Sequence, residues 1–373
     1  MRAFGFLALL PLVAARALTP RAATTACNNS PELCSKSYGE VTYLGAHDSP
    51  FVRDASTQFS TAANQFLDTP SQLDSGVRMV TAQVHKKDSE WHLCHTSCQL
   101  LDAGKLSTWL SQIKKWLDKN KNDVVTVLLV NSDSATAAEL DKEFQTAELV
   151  DYAYKPKSQA ASGSWPTLQE LINDGTRLMT FVASVDTSAQ APYLMDEWDY
   201  VFENPYEVTS PYNFSCTPDR PSSVKGDLSA ALSSNRLPLM NHFLYADGIL
   251  DIQYPNVSYV STTNAPSGDV GNLGDAAAKC KKMYNRAPAF ILVDFATKGP
   301  AIATVDKLNN VQDPVGRSDA AKSQTSGAST INNVFSGLVE LASKARAGAN
   351  PSMGQWVWVG GQWGGLLGGG LTM

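Results

Sequence analysis

Between about Val41 and Asn310 the chain alternates short apolar runs with stretches whose apolar residues recur three and four positions apart. That is the pattern of repeated βα units around a parallel sheet. Strands are expected at 41–46, 77–84, 124–130, 177–183, 200–203, 237–243 and 289–295. Helices are expected at 106–119, 137–149, 168–173, 273–285 and 301–308, and Thr167 with Glu170 forms a capping box ahead of the third. Seven or eight such strands in one α/β domain predict a TIM-type (β/α) barrel, irregular in places, with its site at the C-terminal strand ends. A doubly wound open sheet is the alternative, but no glycine-rich dinucleotide turn follows the first strand.

The periodic region, taken as a 27–312 barrel domain, is flanked by segments of different character. Residues 1–18 read as a signal peptide: a basic start, a short apolar core and small residues at the cleavage region. The apolar part is too short to span a bilayer, which takes about 20 residues. The protein is therefore expected to be secreted, extracellular or in a cell wall. Residues 313–373 read as a linker, a helical stretch at 334–346 and a glycine- and tryptophan-rich end. That end reads either as a lipid-anchor signal, with small residues at 348–352 for attachment, or as a loosely packed tail.

A net charge of −6 without a cluster of lysines or arginines argues against nucleic-acid binding, which depends on neutralising phosphates. Export favours disulfides among the six cysteines. Their spacing points to Cys27–Cys34 and Cys94–Cys98, leaving Cys216–Cys280. Asn28, Asn213 and Asn256 lie in glycosylation sequons. No zinc-like cysteine spacing is present, and a monomer is expected.

All five histidines, His47, His85, His92, His95 and His242, fall at or just beyond an expected strand end, which points to one site. Two imidazoles can serve as general base and general acid near neutral pH. Strand alternation puts Thr81, Gln83 and His85 on one face. A turn at 86–89 then leads to an extended run in which Trp91, Leu93 and His95 oppose His92 and Cys94. Only one of His92 and His95 can enter the site, and His92 is expected to be structural. His242 reads equally as a site residue or a satisfied core histidine. Asp294 and Glu203 end apolar strands, where a carboxylate is costly unless paired. Trp198, Tyr200, Phe202, Tyr206 and Tyr212 read as a substrate rim, a membrane-touching edge or ordinary packing.

Gly45-Ala46-His47-Asp48-Ser49, Gly76-Val77-Arg78 and Leu93-Cys94-His95-Thr96-Ser97-Cys98 together resemble the phosphatidylinositol-specific phospholipase C superfamily. The similarity is nearest to its secreted fungal phospholipase C-like phosphodiesterases and runs from Cys27 to about Asn310. The resemblance implies that His47 takes a proton from the attacking hydroxyl, that His95 protonates the leaving alkoxide and that Asp294 orients His47. Asp48 would tune the site, and Gln83, His85, Glu203, Asn241 and His242 are the expected substrate contacts. The substrate would be a phosphoinositide or related phosphodiester, met at a membrane surface.

Where bacterial members carry a second-strand arginine and calcium-dependent members carry acidic ligands, this chain has Thr81 and Gln83, with Leu128-Leu129-Val130-Asn131 on the third strand. The sequence thus requires no cofactor. Calcium remains open only through Glu203 with Asn241, Asp48 or Asn131. Phosphoryl transfer needs charge stabilisation, and His85, His242, Lys86 and Arg78 are the candidate replacements. Without such a group the barrel would bind an inositol phosphate or glycan with no turnover. A glycerophosphodiesterase reading expects a Glu-x-Asp pair where Thr81-Ala82-Gln83 stands.

Overall fold

The computed structural model describes residues 26–247 and 253–318, with the backbone of two short strands, Trp356–Val359 and Gln362–Gly365, which pair antiparallel as a separate unit. The strands of the main unit are β1 (Tyr43–Ala46), β2 (Met79–Lys87), β3 (Glu90–Cys94), β4 (Asp102–Lys105), β5 (Val125–Asn131) and β6 (Leu178–Ala183). They continue with β7 (Leu194–Asp196), β8 (Val201–Glu203), β9 (Leu237–Asn241), β10 (Tyr245–Asp247), β11 (Gln253–Pro255) and β12 (Phe290–Val293). Helices are α1 (Thr69–Asp74), α2 (Leu106–Lys119), α3 (Ala137–Thr146), α4 (Leu168–Asn173) and α5 (Glu197–Tyr200), then α6 (Leu228–Ser233), α7 (Val260–Thr263), α8 (Leu273–Tyr284) and α9 (Ala301–Asn309).

Eight parallel strands run side by side in the order β7-β6-β5-β2-β1-β12-β9-β8. Neighbours in the sheet are therefore consecutive parallel strands, and β12 returns to β1, which is TIM-barrel order. The curled sheet stays unpaired only between β7 and β8. These two are joined by the single turn of α5 rather than a full crossover helix. β3 and β4 form an antiparallel extension of β2.

Alternation sorts each strand between two cores. Leu44, Ala46, Val80, Ala82, Val84, Val127 and Leu129 face outward to the helices. Against them α2 buries Leu106, Trp109, Leu110, Ile113, Trp116 and Leu117, an apolar stripe at helical spacing. Thr136 with Glu139 and Thr167 with Glu170 form capping boxes that start α3 and α4. Inside the barrel, Tyr38, Tyr43, Phe181, Tyr200 and Phe290 fill the end at which the strands begin. Tyr38 shares a 2.6 Å hydrogen bond with Thr126 there. Gly45 belongs to this interior: a Cβ on it would stand 2.3 Å from Leu292 Cδ2, so any side chain there would force Leu292 of β12 to move beneath His47.

The pairings Cys27–Cys34, Cys94–Cys98 and Cys216–Cys280 are all formed. Asn28 corrects an expectation: its side chain is buried and its Oδ1 accepts from the Val124 N–H, leaving no room for a glycan. Asn213 is exposed. Residues 313–318, expected to open the linker, still pack on the barrel, where Arg317 pairs with Asp306 and Ser318 N–H bonds to Asp74 O. The signal segment 1–18, the 334–346 helix and the anchor reading fall outside the described residues apart from the terminal hairpin backbone.

Candidate active site

At the C-terminal strand ends lies a cavity of about 1000 Å³ lined by His47, Asp48, Thr81, Gln83, His85, His95, Glu203, Tyr206, Arg220, Asn241, Phe243 and Tyr245, among others. His47 follows β1 and Asp294 follows the adjacent β12. His47 Nδ1 lies 2.9 Å from Asp294 Oδ1. Because a carboxylate can only accept there, Nδ1 carries the proton and Nε2 turns to the cavity. Asn64 Nδ2 donates to the same Oδ1 at 3.0 Å. Phe243 stacks on the imidazole, ring centroids 3.7 Å apart and 4° from parallel. The ring is thereby fixed on one edge and one face.

His95, just past β3, meets His47 across Asp48. The Oδ2 of Asp48 is 3.7 Å from His47 Nε2 and 3.6 Å from His95 Nε2. Gln83 Nε2 donates to that oxygen at 2.7 Å, and Gln83 Oε1 accepts from Thr96 N–H at 2.8 Å. One amide thus ties the two histidine segments together. Burial alone would lower the pKa of His47, but Asp48 and Asp294 outweigh it and raise it. Burial lowers that of His95, and the Asp48 charge only partly offsets this.

The opposite wall was only half legible in the sequence. Glu203 ends β8 and is joined there by Asn241 Nδ2 at 3.2 Å and by the guanidinium of Arg220. Arg220 also lies over the rings of Tyr206, at 4.2 Å, and Trp198, at 5.3 Å. Glu197, fully buried beside Glu203, is held well above the usual carboxylate range by burial and by that neighbour. Arg220 is the one arginine or lysine among the described residues that line the cavity, and the sequence reading missed it because it sits in an irregular loop outside the strand pattern. Asn64 was missed for the same reason, and Phe243 because an apolar residue inside the expected 237–243 strand reads as core.

The candidate cations named from the sequence lie elsewhere or are engaged. Arg78 is buried against Asp123 and Asn29, and Lys86 pairs with Glu139. His85 lines the cavity with Nδ1 3.3 Å from Asp133. His242, expected to contact substrate, is instead a core histidine. It is fully buried, its Nε2 meets the Thr263 carbonyl oxygen at 3.0 Å, and burial pushes its pKa down to about 4. His92 bonds Asp102 on the hairpin, and Asn131 caps the loop before α3 through Ala135. Of the aromatic set, Tyr200 and Phe202 are buried packing, Tyr206 reaches the cavity and Tyr212 is exposed.

Calcium does not fit these residues. The carboxylate of Glu203 is engaged by a guanidinium, that of Asp48 by the Gln83 amide, and the Thr81 hydroxyl accepts from the Asp48 N–H. Among the described residues no three histidine, cysteine or acidic side chains converge at metal-ligand spacing.

A barrel of this order, with two imidazoles and a carboxylate at its C-terminal mouth, matches a known class. The family model "PI-PLC X 1" covers residues 33–309, and the chain belongs to that family. It is 37% identical over 294 residues to a PI-PLC X domain-containing protein 1 of Arthroderma benhamiae, a match spanning 78% of this chain and 92% of that one. It is also 37% identical over 296 residues to an "Uncharacterized secreted protein" of the same fungus, spanning 77% of this chain and 65% of that one. The fold is similar to that of phosphatidylinositol-specific phospholipase C from Listeria monocytogenes, with a TM-score of 0.51 at 16% identity over 78% of this chain and 99% of that one. Among the described residues no helix is long and apolar enough to cross a membrane.

Proposed function

We propose that the protein is a secreted phosphodiesterase of phospholipase C type, acting on a phosphoinositide or a related phosphodiester. The observation that carries this reading is the convergence of His47 Nε2 and His95 Nε2 on one cavity, with Asp294 behind the first. A substrate hydroxyl beside the phosphodiester attacks phosphorus, and His47 Nε2 takes its proton. The bond to the alcohol breaks, and His95 returns a proton to the departing oxygen, leaving a cyclic phosphate. Water in place of that hydroxyl gives direct hydrolysis with the same groups. Arg220, paired with Glu203 through one of its amine groups, lines the cavity and supplies positive charge to the phosphoryl oxygens in place of a second-strand arginine. Half-exposed Leu100 and Val130 at the mouth support docking of the site on a lipid surface.

The Asp48 and Asp294 charges raise the pKa of His47 while burial lowers that of His95, and the proposed reaction uses the pair with a single proton on His95. The neutral Gln83 lining the cavity on the second strand, where an arginine would supply charge, favours a second reading, a barrel that binds inositol phosphate without turnover. Phosphorus NMR with phosphatidylinositol and glycerophosphoinositol, with calcium and with chelator, separates the two. A cyclic phosphate formed in both conditions and lost in His47→Ala is expected. Binding of inositol phosphate without turnover would establish the second reading.

A further inference from the structure

The two imidazoles are held in different ways. His47 has a carboxylate on its far nitrogen, whereas the nearest partner of His95 Nδ1 is the hydroxyl of Thr96 at 3.3 Å, its own neighbour in the chain. Nothing outside the loop holds that nitrogen among the described residues. The strand does not hold it either: the β3–β4 register shifts between His92 and Cys94, and the paired positions stop at Cys94. Beyond it the chain turns through Thr96 at φ +60°, a left-handed conformation uncommon for a threonine. Phe51 packs edge-on against the ring, centroids 5.3 Å apart, and the backbone shape of residues 94–98 sets where the ring enters the cavity. That stretch is closed by the disulfide between Cys94, buried at the end of β3, and Cys98 at the rim. Two hydrogen bonds assist it, from His95 N–H to Leu101 O at 2.9 Å and from Thr96 N–H to Gln83 Oε1 at 2.8 Å.

We infer that the Cys94–Cys98 disulfide is a positioning device for proton donation: by closing the loop around His95 it holds Nε2 on the leaving-group side of the cavity, a task that Asp294 performs for His47. The inference rests on the reading of His95 as general acid. It separates the bridge's role from bulk stability, because a misplaced acid hurts only substrates whose leaving group needs a proton. An alkoxide needs one, and a nitrophenolate leaves without it.

The test compares the full-length secreted protein, His95→Ala and Cys98→Ser on two substrates, glycerophosphoinositol and the p-nitrophenyl ester of inositol phosphate. Cys98→Ser is expected to lose about 10²–10³-fold in kcat on glycerophosphoinositol, in the range general acid catalysis contributes, and no more than a few-fold on the aryl ester. His95→Ala should show the same split. Equal losses on both substrates, or no loss on either, would overturn the inference. The double variant Cys94→Ala/Cys98→Ala guards against a mispaired thiol, and failure of both variants to fold would assign the bridge to stability and likewise overturn it. Absence of turnover by the unmodified protein on both substrates would remove the reading beneath the inference, an outcome distinct from any result on the variants.

Discussion

At the scale of single residues the site is organised by carboxylates and burial that together set two imidazoles apart. Asp294 and Asp48 raise His47 above an ordinary imidazole pKa of about 6.5, and burial takes His95 below it. The proposed mechanism uses one proton on the pair, so kcat/KM against pH is expected to be bell-shaped. Its acid limb should lie below about pH 6.5, where His95 titrates, and its alkaline limb above it, where His47 titrates. Asp294→Asn removes a raising influence and should move the alkaline limb down while kcat falls by about 10³–10⁴-fold, as when a triad aspartate is neutralised. A pH–rate series on both proteins checks this, and an unmoved alkaline limb would reject the coupling. Arg220 belongs at this scale too. If its guanidinium meets the phosphoryl oxygens, Arg220→Ala should cost about 10²–10³-fold in kcat. Arg220→Lys should recover part of that loss, since the charge survives but the fork does not. A change confined to KM would instead assign Arg220 to uniform binding of the headgroup.

Elements explain both what could be read from the sequence and what could not. The strands leading to His47 and Asp294 announce themselves because β1 and β12 are buried on both faces and read as apolar runs ending in a polar residue, while β2 shows through the alternation that presents Gln83. β7 escapes the same reading because three residues, Leu194–Asp196, are too few to show a period. Arg220 escapes because its position comes from a loop that bridges back to Glu203, and no local pattern encodes such a contact. His242 misleads for the converse reason: it follows the end of β9 as a site residue would, but it turns into the space beneath Phe214 rather than to the mouth. The same element-level view assigns Arg78. It opens β2 at the end remote from the cavity, where it holds Asp123 and Asn29 with its side chain almost fully covered. Arg78→Ala leaves Asp123 buried and unpaired, so stability should fall by about 3–5 kcal/mol. The kcat of the folded fraction should stay unchanged. Denaturant melts alongside active-site-titrated kinetics test it, and a loss of kcat at full folding would return Arg78 to the list of catalytic candidates.

For the whole molecule the consequence lies in where the barrel is not sewn together. The parallel ladder runs without interruption through β12, β1 and β2, which carry Asp294, His47 and, through β3, His95, and it lapses only between β7 and β8. The groups proposed to move protons therefore stand on the paired side, while Glu203 and Arg220 stand beside the open seam. A site divided this way can keep the reacting geometry rigid, as proton transfer requires, while the wall facing the headgroup adapts. Unpaired strand edges exchange their amide hydrogens sooner than strands paired on both sides. Hydrogen exchange followed by mass spectrometry should thus show β7 and β8 losing protection well before β1 and β12. Glycerophosphoinositol or inositol phosphate should slow exchange mainly at β8 and the loop bearing Arg220. Uniform protection around the barrel would mean that the seam is closed in solution by contacts other than a β-ladder, and the division of labour would not hold. Slowing confined to the histidine strands would place the headgroup against the rigid wall, with Arg220 serving the phosphate alone.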